Sequence, residues 1–292
     1  MAAYTAAASG GWVSKTTWGV TGASTNSPGG NTNDTATINA AVTVTYNNTQ
    51  ATIASLTVGG GSLVFNDPNN ATSTILNVTG TTALSNGSII LNSNAAGSGV
   101  VTLCSANLSI SGGTLTLNAA NATLLVGNAT GATITAGNFN ISAGTFTDSG
   151  ILTVNGTGVY NQSGGAASVT GAASLSGTET VSAGTLNIAN AGSLTVSANT
   201  LTVNGTGAVN VNATTTVSGG NFNDACPMRA WLYITTGTTY ATGVSAPVNL
   251  TRGVTDWETI TFDLDNVNAL SGVPDPTQIN QLGIQISTET CP

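Results

Sequence analysis

The stretch Leu152-Thr153-Val154 is one copy of a short unit that recurs from about residue 37 to residue 222. Each copy places a Thr or Asn between two apolar residues, and Gly or Asn follows within a few positions. Apolar and polar residues that alternate over a few positions, bounded by turn-forming residues, predict short strands with one buried face. Further copies are Leu56-Thr57-Val58, Leu76-Asn77-Val78, Leu186-Asn187-Ile188, Leu194-Thr195-Val196 and Leu201-Thr202-Val203.

These units repeat at a longer common period, which defines three interleaved rows of apolar residues. Successive members of a row lie 19 to 23 residues apart. Three short strands per repeat, each stacked on the same strand of the next repeat, predict an all-β fold: a right-handed parallel β-helix with about 21 residues per coil. The first row contains Leu115, Ile134, Val154, Leu175, Val196 and Val217; the second contains Ile141, Tyr160, Val181 and Val203; the third contains Phe146, Val169, Ile188 and Val211.

The composition changes at both ends of this repetitive region, which indicates three segments. Residues 1–36 are rich in Ala, Gly and Ser, and we expect them to form an N-terminal cap or extension. Residues 37–223 form the predicted parallel β-helix. Residues 224–292 contain seven of the eleven acidic residues, and we expect a small β-sandwich-like module there.

The chain contains very few charged residues, and this excludes several classes of function. Only 5% of the residues are charged, against about 25% in an average soluble protein. The three basic residues cannot form the patch that nucleic-acid binding needs, and without histidine there is no Ser-His or Cys-His nucleophile pair. We therefore expect neither nucleic-acid binding nor enzymatic activity. A membrane-spanning segment is not expected either, because no run of about 20 apolar residues occurs.

The predicted β-helix is almost free of charge. Between residues 37 and 223 there is no Lys or Arg, and the acidic residues are Asp67, Asp148 and Glu179. Charged side chains normally protect strand edges from pairing with other chains. Their scarcity predicts a surface that is covered by other subunits, by neighbouring fibres or by glycans.

The N-terminal segment carries a recognisable pattern of residues. Trp12, Trp18 and Pro28 are followed by Asp34-Thr35-Ala36-Thr37-Ile38 and by Val42-Thr43-Val44. This pattern resembles the opening of secreted bacterial surface solenoids, and the resemblance implies an extracellular or cell-surface location. The chain as given begins without a signal peptide. We expect the two tryptophans to cover the apolar end of the first coil, because solenoids need capped ends.

The C-terminal segment resembles the C-terminal half of jelly-roll carbohydrate-binding modules. The matching stretches are residues 230–237, 256–264 and 275–286. The resemblance implies sugar binding by aromatic rings, and the candidate residues are Trp231, Tyr233, Tyr240 and Arg229. Alternatively, these rings form part of the module's core.

Two further sites are predicted in or near this segment. The acidic pairs Asp256/Glu258 and Asp263/Asp265 could hold a structural Ca²⁺, although solvated strand ends explain them equally simply. Otherwise no cofactor is expected. A disulfide between Cys226 and Cys291 would connect the two ends of the segment, and the alternative is three buried thiols. Cys104 is expected to be a small buried side chain.

Asn, Thr and Ser dominate the predicted outer surface. The candidate glycosylation sites are Asn47, Asn70, Asn77, Asn128, Asn155, Asn204 and Asn212, and the plain alternative is that Asn suits the turns between coils. The first apolar row is flanked by Thr114/Thr116, Thr133/Thr135, Thr153/Asn155, Ser174/Ser176, Thr195/Ser197 and Thr216/Ser218. These side chains predict a hydroxyl-rich ladder. Such a ladder suits strand pairing, and it also resembles ice-binding proteins.

Together these features favour an extracellular structural or adhesive protein that assembles head to tail into a filament. The alternatives are a carbohydrate-binding protein that acts through its C-terminal module and an ice-binding protein that acts through the hydroxyl ladder. The expected partners are therefore other copies of the chain and, in the alternative, a polysaccharide or glycan.

Overall fold

A computed structural model describes most of the chain. It covers residues 2–20, 27–39, 41–66, 73–92, 99–189, 193–197 and 200–211, and beyond these the backbone of residues 214–218, 221–222, 228–236, 241–244, 248–249, 268–271 and 279–288. The chain forms two compact units, residues 1–222 and residues 223–292. No helix occurs among the described residues.

The first unit is built from strands that join one large sheet. In chain order they are β1 Ala3–Thr5, β2 Gly10–Gly11, β3 Thr35–Ile38, β4 Thr43–Tyr46, β5 Gln50–Ile53, β6 Ser55–Phe65, β7 Thr74–Leu91, β8 Val101–Leu117, β9 Ala122–Val126, β10 Ala132–Ile141, β11 Thr145–Asp148, β12 Leu152–Val154, β13 Val159–Val169, β14 Ala173–Leu175, β15 Thr178–Ile188, β16 Ser193–Ser197, β17 Thr200–Val203, β18 Ala208–Val211, β19 Thr214–Ser218 and β20 Asn221–Phe222.

All pairings in this sheet are parallel, and they stack the strands in three columns. This confirms the predicted all-β parallel solenoid, which makes about seven turns between Ile38 and Val196. In the first column, each inward residue pairs with the residue one turn later. The column runs through Ile38, Val58, Leu84, Ile110, Ile134, Val154, Leu175 and Val196.

The other two columns are built in the same way. The second column contains Val44, Leu63, Ile89, Leu115, Phe139, Tyr160, Glu179 and Leu201. The third column contains Ile53, Val78, Ser105, Val126, Asp148, Val169, Ile188 and Val211. Inward side chains from all three columns meet in one continuous core.

The register differs from the predicted rows at three residues. Leu115 pairs with Ile89 and Phe139 in the second column, so it does not precede Ile134. Tyr160 pairs with Phe139 rather than Ile141. The rows were wrong there because polar residues occupy inward positions, and a search for apolar residues alone shifts to the nearest apolar neighbour. The third case follows the same rule, since Phe146 pairs with Ala167 and the partner of Val169 is Asp148.

Coil length also varies more than predicted. Steps along the first column are 20, 26, 26, 24, 20, 21 and 21 residues between the paired residues. Glycines line the corner between the first two columns in the longer turns. Gly113 has φ +72°, and a Cβ atom there would lie 2.5 Å from the carbonyl oxygen of Gly87 one turn earlier. A side chain is therefore excluded at this corner by both the φ angle and the close approach of the neighbouring turn.

The N-terminal segment packs onto the first turn of the solenoid. β1 adds parallel to β3, and β2 adds parallel to β4. Trp12 is fully buried, with its ring centroid 5.0 Å from that of Trp18 and 5.1 Å from that of Tyr46. Aromatic rings in such edge-to-face arrangements contribute beyond the area they bury. The two tryptophans therefore lie against the first coil, as predicted.

The second unit contains one antiparallel sheet among its described residues. Its strands are β21 Met228–Thr236, β22 Ala241–Val244, β23 Val248–Asn249, β24 Asn268–Ser271 and β25 Ile279–Thr288. β21 pairs with β22, β23 and β25, and β22 pairs with β24. The predicted sandwich needs a second layer, and the described strands form a single sheet.

Candidate functional site: an uncharged outer surface and two buried carboxyl groups

The outer surface of the solenoid carries no charged side chain in its described part. From residue 35 to residue 211, the described charged residues are Asp148 and Glu179, and both are 0% exposed. Every outward position described in the three columns is therefore uncharged. Such a surface has no long-range electrostatic repulsion of its own to keep a second copy away.

Hydroxyl groups form a nearly continuous row along the first column. Its outward residues pair in register from turn to turn, and Ala83 is the one member without a hydroxyl group. The row contains Thr37, Thr57, Ala83, Ser109, Thr133, Thr153, Ser174 and Thr195. This is the predicted ladder, with one correction. Thr114 and Thr116 belong to the second column, where they pair with Asn138 and Asn140.

Amide and hydroxyl side chains also bond between turns on the outer surface. The Nδ2 atom of Asn161 donates to Oδ1 of Asn140 at 3.2 Å, and Nδ2 of Asn210 donates to Oδ1 of Asn187 at 2.9 Å. Such cross-strand pairs contribute a few tenths of a kcal/mol each, on the order of 0.2–1 kcal/mol. They give the surface a regular pattern of polar groups.

Asp148 is a buried carboxyl group with both oxygens occupied. Oδ1 accepts a hydrogen bond from the backbone N–H of Gly150, and Oδ2 accepts one from Ala132, both at 2.9 Å. It ends β11 at the corner that leads to β12. Burial raises the pKa of this carboxyl group, and the two N–H donors oppose that rise. Its role is to bind the backbone of two successive turns together.

Glu179 is a buried carboxyl group with one oxygen occupied. Oε1 accepts a hydrogen bond from the backbone N–H of Gly177 at 2.9 Å, whereas Oε2 is buried without a hydrogen-bond partner. Burial raises the pKa of Glu179 to about 7, and the Gly177 bond opposes the rise. The side chain is therefore a neutral or ionised acid depending on conditions near neutral pH.

A polar network lies one turn before Glu179. The hydroxyl group of Tyr160 donates to Oε1 of Gln162 at 2.8 Å. Nε2 of Gln162 donates to the carbonyl oxygens of Gly165 and Thr185, at 3.3 and 3.0 Å. The polar atoms of these two buried side chains are thus hydrogen-bonded among themselves and to backbone, so the network is satisfied without Glu179.

The predicted sites of the C-terminal unit lie mostly outside the described residues. Arg229, Trp231 and Tyr233 occupy alternate positions of β21. Tyr240, Cys226, Cys291 and the four acidic residues Asp256, Glu258, Asp263 and Asp265 are not among the described residues. The sugar, Ca²⁺ and disulfide predictions therefore stay predictions.

Cys104 lies differently from its prediction. It is half-buried at an outward position of β8, between the inward residues Leu103 and Ser105, and it is a free thiol. Burial raises the pKa of this thiol. Ser105, not Cys104, takes the inward position, where its Oγ accepts from the N–H of Thr82 at 3.1 Å.

The candidate glycosylation sites occupy several kinds of position. Asn47, Asn128 and Asn204 are exposed and follow β4, β9 and β17, respectively. Asn77 and Asn155 are half-buried, the first within β7 and the second after β12. Asn70 and Asn212 lie outside the described residues. The exposed three are the sterically accessible members of the set.

The sequence analysis missed the inward polar side chains as a group. A signal for them exists, because Val126, Asp148, Val169 and Ile188 lie 22, 21 and 19 residues apart. A row that follows the period and tolerates a polar member would have found Asp148. Within the described ranges, no three Cys, Asp or Glu side chains are grouped closely enough to hold a metal ion.

Comparisons with protein-family models, with curated proteins and with solved structures found no match to this chain. No helix that could span a membrane occurs in the part of the chain that the structure describes.

Proposed function

We propose that the protein is an extracellular structural or adhesive protein whose function resides in the outer surface of its solenoid. The observation that carries this proposal is the absence of any charged side chain on the described outer surface between residues 35 and 211. Soluble proteins normally use surface charge to remain apart. A regular uncharged surface of hydroxyl and amide groups instead favours association with other copies or with an uncharged surface.

The proposed assembly is a filament in which solenoids stack head to tail. A heterologous contact that does not close on itself generates such filaments. The pairing of β1 with β3 of the same chain bears on the mode of contact. Because the N-terminal segment is already a strand of its own sheet, we propose that subunits meet end to end without exchanging that segment.

Several finer features belong to the same proposal. The solenoid is right-handed, in keeping with the handedness of parallel β-crossovers. The C-terminal sheet is one layer of a small sandwich, which holds a disulfide between Cys226 and Cys291 and, in a carbohydrate-binding alternative, a sugar against Trp231. The extracellular location rests on the resemblance of residues 12–44 to secreted surface solenoids.

The hydroxyl row of the first column supports ice binding as a second candidate function. Its members are in register over successive turns, so their side chains repeat at the strand spacing of about 4.8 Å. Measuring thermal hysteresis of the purified protein tests this candidate. Hysteresis that disappears in Thr153→Lys supports it, and a freezing point without hysteresis rejects it.

Assembly is tested by placing charge on the outer surface. We expect the wild-type protein to form filaments and bundles by negative-stain microscopy, and we expect Thr153→Lys with Ser174→Lys to separate the bundles, because each copy would then repel its neighbour. The matched control is Thr153→Val with Ser174→Ala, which changes the same positions without charge and should keep the bundles. Monodisperse wild-type particles at high concentration would contradict the proposal.

A further inference from the structure

Glu179 occupies a position where its neighbours are apolar or neutral. It lies in the second column between Tyr160 of the preceding turn and Leu201 of the following turn. All three residues are essentially inaccessible to solvent. An ionised carboxylate is costly in such surroundings unless donors or cations compensate it.

The described donors near Glu179 are already used. The N–H of Gly177 satisfies Oε1, and Oε2 has no partner. The hydroxyl group of Tyr160 donates to Gln162, and the amide group of Gln162 donates to two carbonyl oxygens. One oxygen of the carboxylate is therefore left without compensation when the group is ionised.

No charged group faces Glu179 from the elements packed against it. β15 pairs with β13, β17 and β18, and it also contacts β14. Among the described residues of these strands the titratable group is Tyr160, and burial raises the pKa of its hydroxyl group further above the neutral range. The protonation state of Glu179 is thus decided by burial and by the single Gly177 hydrogen bond.

We propose that Glu179 makes the turns around β15 sensitive to pH, so that they are held closed when its carboxyl group is protonated and loosen when it is ionised. This device is independent of the proposed surface function, because it lies in the core. It also differs from Asp148, whose two oxygens are each bound by a backbone N–H.

The direction of the pH dependence follows from the pKa of Glu179. Its folded-state value is raised to about 7 from an ordinary 4.5. The folded state therefore binds the proton more tightly than the unfolded state does. The stabilisation is fully present below pH 4.5, and it is lost as the pH rises through 7.

Hydrogen exchange with mass spectrometry localises the effect. We expect protection factors in β15 and β17 of the wild-type protein, corrected for intrinsic exchange rates, to fall more than about tenfold between pH 5 and pH 8. In Glu179→Gln, which is always neutral, they should be independent of pH. Protection in β6, many turns away, is the internal control and should be equal in both proteins.

A second measurement does not depend on the folding of the variant. The chain has three glutamates, so carbonyl-labelled Glu gives three carboxyl signals in an NMR titration of the wild-type protein. We expect one signal to titrate near pH 7. Three signals that all titrate near pH 4.5, or a pH-dependent protection in β15 that persists unchanged in Glu179→Gln, would overturn the proposal.

Discussion

The interior of the solenoid contains the carboxyl groups of Asp148 and Glu179, whereas its described outer surface from residue 35 to residue 211 contains no charged group. This is the reverse of the usual distribution, in which acids are exposed and the core is apolar. The difference shows that charge in this unit serves the fold and does not keep the molecules apart.

The two regions also differ in how strictly their polar groups are paired. Inside, each unsatisfied oxygen is costly because water is excluded. Outside, an Asn or Thr can exchange its partner for water at little cost. Substitutions of similar chemistry should therefore have very different effects in the two regions, and the predictions below test this in decreasing order of effect.

The largest effect is expected for Asp148→Ala. The variant removes the acceptor of two buried backbone N–H groups, those of Ala132 and Gly150, and each unsatisfied donor costs about 1–3 kcal/mol. We expect the free energy of unfolding to fall by about 2–5 kcal/mol in urea titrations at pH 7. The control is Thr147→Ala on the same strand, at an outward position. A loss for Asp148→Ala as small as that of the control would break the distinction between interior and surface.

A smaller effect of opposite sign is expected for Glu179→Gln. Between a pKa of 4.5 and one of about 7, burial of the ionised group costs roughly 3 kcal/mol, and the amide avoids most of this cost above pH 7. We expect the variant to be about 2 kcal/mol more stable than wild type at pH 8 and no more stable at pH 4. Urea unfolding at the two pH values measures the difference. Equal stabilisation at both pH values would show that the carboxyl charge is not the cause.

The smallest effect is expected when a carboxyl group is placed outside. In Asn161→Asp the new group lies at an outward position and loses one amide hydrogen bond to Asn140. We expect a change of less than about 0.5 kcal/mol in the free energy of unfolding at pH 7, as for most surface substitutions. Thermal unfolding of the variant beside Asn161→Ser measures it. A loss comparable to that of Asp148→Ala would mean that the outer surface is as restrictive as the core.

Much of the fold was predictable from the sequence, and the failures have a common physical cause. Period-2 alternation and a longer repeat were enough for the parallel solenoid, because most inward positions are apolar. Register failed at Leu115, Tyr160 and Phe146, where the inward neighbours include Gln162, Glu179 and Asp148. A hydrogen-bonded polar residue can replace an apolar one in the core, and composition alone does not reveal it.

The surface features were predicted more fully than the buried ones. The hydroxyl ladder and the scarcity of charge follow directly from residue type and strand alternation. That the two acids face inward depends on backbone donors such as the N–H groups of Ala132 and Gly177, which only the three-dimensional fold places. The outward position of Cys104 was missed because Ser105 takes the inward place.

The central claim, that the protein acts through an uncharged outer surface, is tested most directly by the salt dependence of self-association. Analytical ultracentrifugation of the wild-type protein at about 0.01 M and about 1 M salt spans screening lengths from about 30 Å to about 3 Å. We predict association at both concentrations that is not weakened by salt, because no charge pair on the described surface holds the subunits together. Monomers at every protein concentration, or assemblies that dissociate at high salt, would contradict this account.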